Sequence, residues 1–221
     1  MAFEREKEYE IRIPLMNQDV MLDGNLYIPE NAQGLILFAH GSGSGRFSPR
    51  NRFVAQYLNK GAYGTLLFDL LTRSEEATDL VTAQLRFDIE LLAGRLGDVT
   101  DWVCENREID KLPIGYFGAS TGAAAALVAS INRPEVKAIV SRGGRPDMAE
   151  AYLKKVSAPT LLIVGGDDYQ VIEMNKSALE LLRVPARKME IVTGATHLFE
   201  EPGALDEVAR LAVDWFIQYV H

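Results

Sequence analysis

Hydrophobic and polar residues alternate in some segments of this chain and cluster in others, and each pattern predicts a type of element. Residues 8–15 and 20–28 alternate, with Asn17-Gln18-Asp19 between them, which is typical of an antiparallel hairpin. Five later segments are short apolar runs, the pattern of strands buried on both faces of a sheet. These runs cover 35–39, 65–68, 114–117, 136–140 and 160–164, and 188–192 is predicted as the last of eight strands.

Helical patterns fill the intervals between these strands. The segment 81–106 is predicted as one long amphipathic helix, broken near Gly94 or Gly97. The segment 123–131 is rich in alanine, the best helix former, whose small side chain lets a helix lie close to a sheet. Further helices are predicted over 49–59 with Gly61 as the stop, from Asp147 for a short stretch, over 172–182 and over 202–219.

A hairpin followed by regular strand–helix alternation predicts the fold class. We expect an α/β fold with an eight-stranded, mostly parallel sheet and helices on both faces. No long insertion interrupts the alternation, so we expect a single domain over 1–221 with no large lid.

Composition narrows the functional classes. The formal net charge of −8 disfavours nucleic acid and anionic membranes as general partners. Cys104 is the single cysteine, so no internal disulfide can form, and we expect a reducing compartment. No apolar stretch approaches the length of a membrane span, and residues 1–10 lack the apolar core of a signal peptide. We therefore expect a cytoplasmic protein.

The chemistry is predicted at the carboxyl ends of the strands, where open parallel sheets bind ligands. Gly118-Ala119-Ser120-Thr121-Gly122 fits G-x-S-x-G between a buried strand and a helix. A serine on such a turn stands clear of the sheet, and the glycines let backbone pass close by. We predict Ser120 as a nucleophile; a tight helix-packing turn and a dinucleotide-type glycine loop are the alternatives.

A serine nucleophile needs a base and a group that orients the base. The chain has three histidines; His221 is the last residue, and His40 closes a strand directly before Gly41. His197, after the final strand, is therefore the expected base. The candidate acids follow strands: Asp168, its neighbour Asp167 and, further away, Asp147. The acid that does not serve is expected to cap the helix that follows.

An oxyanion hole needs two backbone N–H groups, one after the nucleophile and one from a second loop. Thr121 is predicted to give the first and Ser42, in His40-Gly41-Ser42-Gly43, the second. A phosphate-binding reading of this glycine-rich loop fails because no Lys-Ser/Thr pair follows it and the G-x-G-x-x-G spacing is absent.

The chain resembles a compact α/β-hydrolase of the dienelactone hydrolase-like group over nearly its whole length. The resemblance rests on four segments: His40-Gly41-Ser42-Gly43, Gly118-Ala119-Ser120-Thr121-Gly122, Gly166-Asp167-Asp168 and Thr196-His197. The resemblance implies a second strand that is antiparallel and the chain order serine, acid, histidine. It also favours Asp168 as the acid, because the Asp-x-x-Val spacing of Asp168 to Val171 is common in that group. Dienelactone hydrolase itself uses a cysteine nucleophile, whereas this chain has Ser120 at that position. We therefore expect ester hydrolysis in this chain, but not dienelactone as its substrate.

Arginines cluster at the same edge. Arg46 follows the expected oxyanion loop, His40-Gly41-Ser42-Gly43. Arg142 and Arg145 follow the strand expected next to the one that leads into Ser120. Either they bind an acidic substrate, since the guanidinium fork suits carboxylate and phosphate, or they pair with Asp147, Glu200 or Glu201 to fix the loops. His40 and these three arginines are the candidate substrate-binding residues.

The sequence thus predicts a serine hydrolase that cleaves small carboxylic esters through an acyl-enzyme, without metal or organic cofactor. A serine peptidase, a thioesterase or an acyltransferase on the same triad, or a non-catalytic binding protein of the same fold, are the alternatives. The expected partner is a small-molecule ester, with no nucleic acid and no membrane, and the chain is either a monomer or a homodimer.

Overall fold

The computed structural model describes residues 3–15, 19–109 and 111–221. Eight strands alternate with helices after an initial hairpin, as the sequence predicts. Asn17 and Gln18 of the predicted hairpin turn lie outside the described residues. The strands are β1 (Glu8–Leu15), β2 (Val20–Tyr27), β3 (Gly34–Ala39), β4 (Tyr63–Phe68), β5 (Ile114–Ala119), β6 (Val136–Arg142), β7 (Thr160–Gly165) and β8 (Arg187–Val192).

All eight strands form one sheet in the order β1-β2-β4-β3-β5-β6-β7-β8. β2 is antiparallel to both of its neighbours, and every pair from β4 to β8 is parallel. This confirms the predicted mostly parallel sheet and its antiparallel second strand. The carboxyl ends of β3, β5, β6 and β7 therefore meet at one edge, with β5, the strand that leads into Ser120, near the middle.

Helices cover both faces of the sheet. The α-helices are α1 (Pro49–Lys60), α2 (Arg73–Thr82), α3 (Ile89–Glu105), α4 (Thr121–Ala129), α5 (Tyr169–Leu181) and α6 (Ala204–Tyr219). α3 and α4 bury one face together with a 3₁₀ helix over Pro146–Lys155, and α1 and α6 bury the other. The four consecutive alanines of α4 are fully buried, so that helix lies close against the sheet.

The predicted long helix over 81–106 is wrong. The chain forms α2, then a left-handed residue at Ala83 (φ 53°), then a short 3₁₀ turn, and only then α3. The break is local and polar: the buried Asp79 carboxylate accepts hydrogen bonds from the N–H groups of Leu85 (2.7 Å) and Arg86 (3.1 Å). Gly94 and Gly97, where a break was expected, lie inside α3.

The face under α6 offers a direct test of core packing. Phe216 is fully buried, with its ring centroid 6.2 Å from that of Tyr63, whereas the next residue, Ile217, is 55% exposed. We expect Phe216→Ala to lower the free energy of unfolding by about 3–5 kcal/mol. The matched change Ile217→Ala should cost less than about 1 kcal/mol. Urea unfolding measures both, and equal losses would contradict the assigned packing.

Candidate active site

The turn at Ser120 joins β5 to α4. Ser120 has φ 50° and ψ −121°, a backbone conformation that costs about 1–3 kcal/mol for a residue with a side chain. Two glycines make the turn possible. A Cβ on Gly118 would lie 2.4 Å from Ala123 Cα, and one on Gly122 would lie 2.2 Å from the Ala39 carbonyl oxygen. Backbone strain at this point is typical of a functional position.

Backbone hydrogen bonds hold this turn. The Ser120 N–H donates to the Arg142 carbonyl (3.2 Å), which continues the pairing of β5 with β6 beyond the end of β5. The Ser120 carbonyl accepts from the N–H groups of Ala123 and Arg145, each at 3.1 Å. These bonds leave the half-buried side chain at the edge of the sheet.

His197 and Asp168 form the clearest side-chain pair of the site. His197 Nδ1 lies 2.6 Å from Asp168 Oδ2, and the side chains are 39% and 15% exposed. Asp168 is the N-cap residue of α5, yet its side chain makes no capping bond, so the carboxylate is available to the imidazole. Asp167 is exposed and does not occupy the N-cap position, so it lacks the capping role expected of the unused aspartate.

Gly143 lies next to both the serine turn and the histidine loop. It follows Arg142, whose carbonyl accepts the Ser120 N–H, and a Cβ on Gly143 would lie 3.5 Å from His197 Cε1. Within the described part of the chain, no hydrogen bond joins Ser120 Oγ to His197. Such contacts are often long in a free enzyme and tighten when substrate binds.

The two predicted oxyanion residues lie in direct contact. The Ser42 N–H donates to Thr121 Oγ1 at 2.9 Å. Gly41 passes close to Ser120, since a Cβ on Gly41 would lie 3.0 Å from Ser120 Cβ. Thr121 is the first residue of α4, so its own N–H has no acceptor in the helix. Among the described residues, no acceptor meets the N–H of Thr121, whereas that of Ser42 is engaged.

His40 has a structural partner on each ring nitrogen. Its Nε2 accepts the Leu70 N–H at 3.0 Å, so the hydrogen resides on Nδ1, which lies 3.0 Å from the Gly41 carbonyl oxygen. The ring therefore ties the oxyanion loop to the end of β4. Burial lowers the pKa of His40 below its usual range, although the Gly41 carbonyl and the charges of Asp69 and Glu76 oppose that shift.

Two of the three candidate arginines are paired with acids. Arg46 forms an ion pair with Asp69, donates its N–H to the same carboxylate at 2.8 Å and donates Nε–H to Asn25. Arg145 donates to both oxygens of Asp147, at 2.9 and 2.7 Å, as the loop-fixing alternative expects. Neither guanidinium is free for an anionic substrate in this arrangement.

Arg142 differs from the other two arginines. It is 7% exposed, its Nε has no hydrogen-bond partner, and Nη2 lies 3.4 Å from Asn51 Oδ1. Its guanidinium carbon lies 5.9 Å from the ring centroid of Phe199, a residue two positions after His197 in the chain. Burial, with repulsion from Arg50, lowers the pKa of Arg142 to about 10, so the side chain stays charged at neutral pH.

A small cavity of about 40 Å³ opens beside the oxyanion loop. Its polar lining includes His40, Ser42 and Thr121, and its apolar lining is made by leucines after β4 and on α2 and α3. Charged residues also line it: Asp69, Glu76, Asp79 and Arg86. Sequence reasoning missed the residues from α2, although Thr72-x-x-Glu75 is a capping box that marks the start of that helix. The leucines are Leu70, Leu71, Leu80 and Leu92.

The described residues contain neither a metal-binding cluster nor a membrane-spanning helix. Among residues 3–15, 19–109 and 111–221, no group of three or more His, Cys, Asp or Glu side chains is placed to hold a metal ion. Over the same residues, no helix has both the length and the apolar character needed to cross a membrane.

The His40 environment predicts a pH dependence of stability. The native pKa of this imidazole is below that of the unfolded chain, so the unfolded state binds the extra proton first. We expect the free energy of unfolding to fall as the pH drops through about 6.5. His40→Gln, which keeps an acceptor for the Leu70 N–H, should lose less. Urea unfolding at pH 7.5 and 5.5 measures this, and parallel losses in both proteins would contradict it.

Comparison with solved structures supports the fold. A dienelactone hydrolase from Anabaena variabilis superposes with a TM-score of 0.94 and 56% identity, over 97% of this chain and 99% of that chain. An esterase from Pyrococcus furiosus superposes with a TM-score of 0.79 over 97% of this chain and 94% of that one. At 18% identity, the second likeness shows the fold alone.

Curated proteins give a different kind of match. A Mycobacterium tuberculosis protein that carries the provisional name of a phosphoribosyl transferase is 54% identical over 203 residues, which is 91% of this chain. The chain spans only 44% of that protein's length. The profile of the dienelactone hydrolase family matches residues 22–219. This chain, an α/β-hydrolase in fold, therefore belongs to the dienelactone hydrolase family.

Proposed function

We propose that this hydrolase cleaves small carboxylic esters through an acyl-enzyme formed on Ser120. The observation that carries the proposal is the 2.6 Å contact of His197 Nδ1 with Asp168, at the same sheet edge as the strained serine turn. A carboxylate on Nδ1 fixes the tautomer whose Nε2 is an acceptor, and that nitrogen can take the proton of an attacking hydroxyl.

The proposed reaction has two halves. Ser120 Oγ attacks the ester carbon while His197 Nε2 takes its proton, and the carbonyl electron pair moves onto the oxygen. When this intermediate collapses, the bond to the leaving oxygen breaks, and that oxygen takes the proton from His197 and departs as the alcohol. Water then attacks the acyl-enzyme by the same route and releases the carboxylic acid and free Ser120. Asp168 stabilises the imidazolium in both halves.

The proposed substrate is small because the cavity next to the serine turn is small; Thr121 lines that cavity, whereas Ser120 and His197 do not. The cavity beside Ser42 and Thr121 has room for a few heavy atoms, and leucines form its apolar side. A short acyl group suits these walls better than a long chain. The pairing of Arg46 with Asp69 and of Arg145 with Asp147 argues against an anionic group at those two positions. Small neutral carboxylic esters are the proposed substrate class.

A second candidate activity comes from the curated relatives. Their name points to phosphoribosyl transfer, and they are 54% identical to this chain where they match. More than half of their length lies outside the match, so the named activity can belong to either part. Release of pyrophosphate from phosphoribosyl pyrophosphate in the presence of purine or pyrimidine bases tests this candidate directly.

We also propose a cytoplasmic location, where an unpaired, exposed Cys104 stays reduced. The proposed partner is the small-molecule substrate alone.

Ser120→Ala tests the nucleophile. We expect native protein to be labelled by a fluorophosphonate probe and to hydrolyse p-nitrophenyl acetate, and the variant to lose both, because alanine removes the proposed attacking oxygen. The loss of turnover should be about 10³-fold or more. Labelling that persists in the variant would remove Ser120 from the mechanism; labelling without ester turnover in the native protein would favour a peptidase or a transferase.

The acid is tested by two neighbouring aspartates. Asp168→Asn should lower kcat by about 10³–10⁴-fold, because an amide cannot hold the imidazole in the required tautomer or stabilise its cation. Asp167→Asn is the matched control, since that side chain is exposed, and it should change kcat by less than about threefold. Steady-state kinetics on one ester measures both, and a larger loss at position 167 would exchange the two roles.

A further inference from the structure

The side chain of Thr121 has a contact that the proposed mechanism does not yet use. Thr121 is 2% exposed and lies next to Ser120 at the start of α4. Its Oγ1 accepts the N–H of Ser42, a residue 79 positions earlier in the chain, at 2.9 Å. The hydroxyl therefore lies between the two loops that an oxyanion hole requires.

The hydrogen of this hydroxyl is available. A threonine hydroxyl has one donor and two acceptor positions. The Ser42 N–H fills one acceptor position, and within the described ranges no hydrogen bond uses the donor. A buried donor without a partner is unfavourable unless water or a ligand meets it. Thr121 lines the cavity beside Gly41 and Ser42 and follows Ser120 directly in the chain.

The same contact changes the role expected of Ser42. An oxyanion is stabilised by donors that already point at it before the reaction begins. The Ser42 N–H points at Thr121 Oγ1 instead, which leaves the Thr121 N–H as the single free donor of the expected pair.

We propose that the Thr121 hydroxyl is the second oxyanion donor of this enzyme. This inference rests on the proposed function. Ser42 N–H donates to Thr121 Oγ1, and Thr121 Oγ–H donates to the oxygen that becomes negative when Ser120 Oγ bonds to the carbonyl carbon. No proton is transferred: the oxygen accepts hydrogen bonds from the N–H and the O–H of Thr121 until the intermediate collapses. The donor chain strengthens the second bond, because an N–H that donates to a hydroxyl oxygen polarises its O–H group.

Two substitutions separate the hydroxyl from the shape of the side chain. Thr121→Val keeps the shape and removes the donor, whereas Thr121→Ser keeps the donor. The control is Thr78→Val on α2, where an exposed hydroxyl bonds only within its own helix. The rate of fluorophosphonate labelling of Ser120, and kcat and KM for p-nitrophenyl acetate, are measured for each. Thermal unfolding confirms that each variant is folded.

Loss of one oxyanion donor lowers kcat by about 10²-fold or more. We expect Thr121→Val to lose about 10²-fold in labelling rate and in kcat with little change in KM. Thr121→Ser should recover most of both rates, and Thr78→Val should match the native protein.

Other results overturn the proposal. Native or faster rates in Thr121→Val would mean that the oxyanion displaces Thr121 and binds the Ser42 N–H directly. Equal losses in the valine and serine variants, or a loss explained by KM, would mean that Thr121 only anchors the loop. These outcomes leave the proposed function intact, provided that labelling still requires Ser120. Native protein that is neither labelled nor active would overturn both proposals.

Discussion

The tight turn at Ser120 is the constraint on which the rest of the site depends. A residue with a side chain is held at positive φ between the end of a buried strand and the first turn of a helix. The turn is possible because Gly122 packs against the Ala39 carbonyl and Gly118 against Ala123, so closely that neither position has room for a Cβ. The turn thereby fixes three things at once: the strand β5, the position of α4 and the loop that follows β3. Strain at the serine is offset by this packing, which leaves the backbone little room to relax.

The His197 loop is fixed in a different way. Phe199 is 1% exposed and buried among the residues of the α1 and α6 face, two positions beyond His197. The Arg142 guanidinium approaches this ring, and Gly143 leaves space for the loop to pass. Apolar burial therefore sets how far the loop extends, and the single bond to Asp168 sets the rotation of the imidazole. Position and orientation of the histidine thus depend on separate interactions.

Much of this could be predicted from the sequence, because strands buried on both faces carry an unmistakable apolar run. The sheet edge, the order of the strand ends and the serine turn follow from such runs and from the glycines beside Ser120. The break between α2 and α3 did not follow, since it depends on the Asp79 carboxylate reaching backbone N–H groups six and seven residues later. The pairing of Arg46 with Asp69 also required the fold, because the two residues follow different strands, β3 and β4, which the sheet places side by side.

The electrostatics of the site follow from these pairings. A net charge of −8 would by itself repel an anionic substrate, and free arginines at the sheet edge would be needed to reverse that local field. Ion pairs with Asp69 and Asp147 remove that contribution for Arg46 and Arg145. Arg142 keeps its charge, but it lies beneath the loop of the histidine and away from the cavity lining. None of the three candidate arginines therefore offers an unpaired guanidinium to the cavity, and the donors next to Ser120 are backbone and hydroxyl dipoles. Such dipoles stabilise an oxyanion without also binding a substrate carboxylate as a fixed positive charge would, which agrees with the proposed hydrolysis of neutral esters.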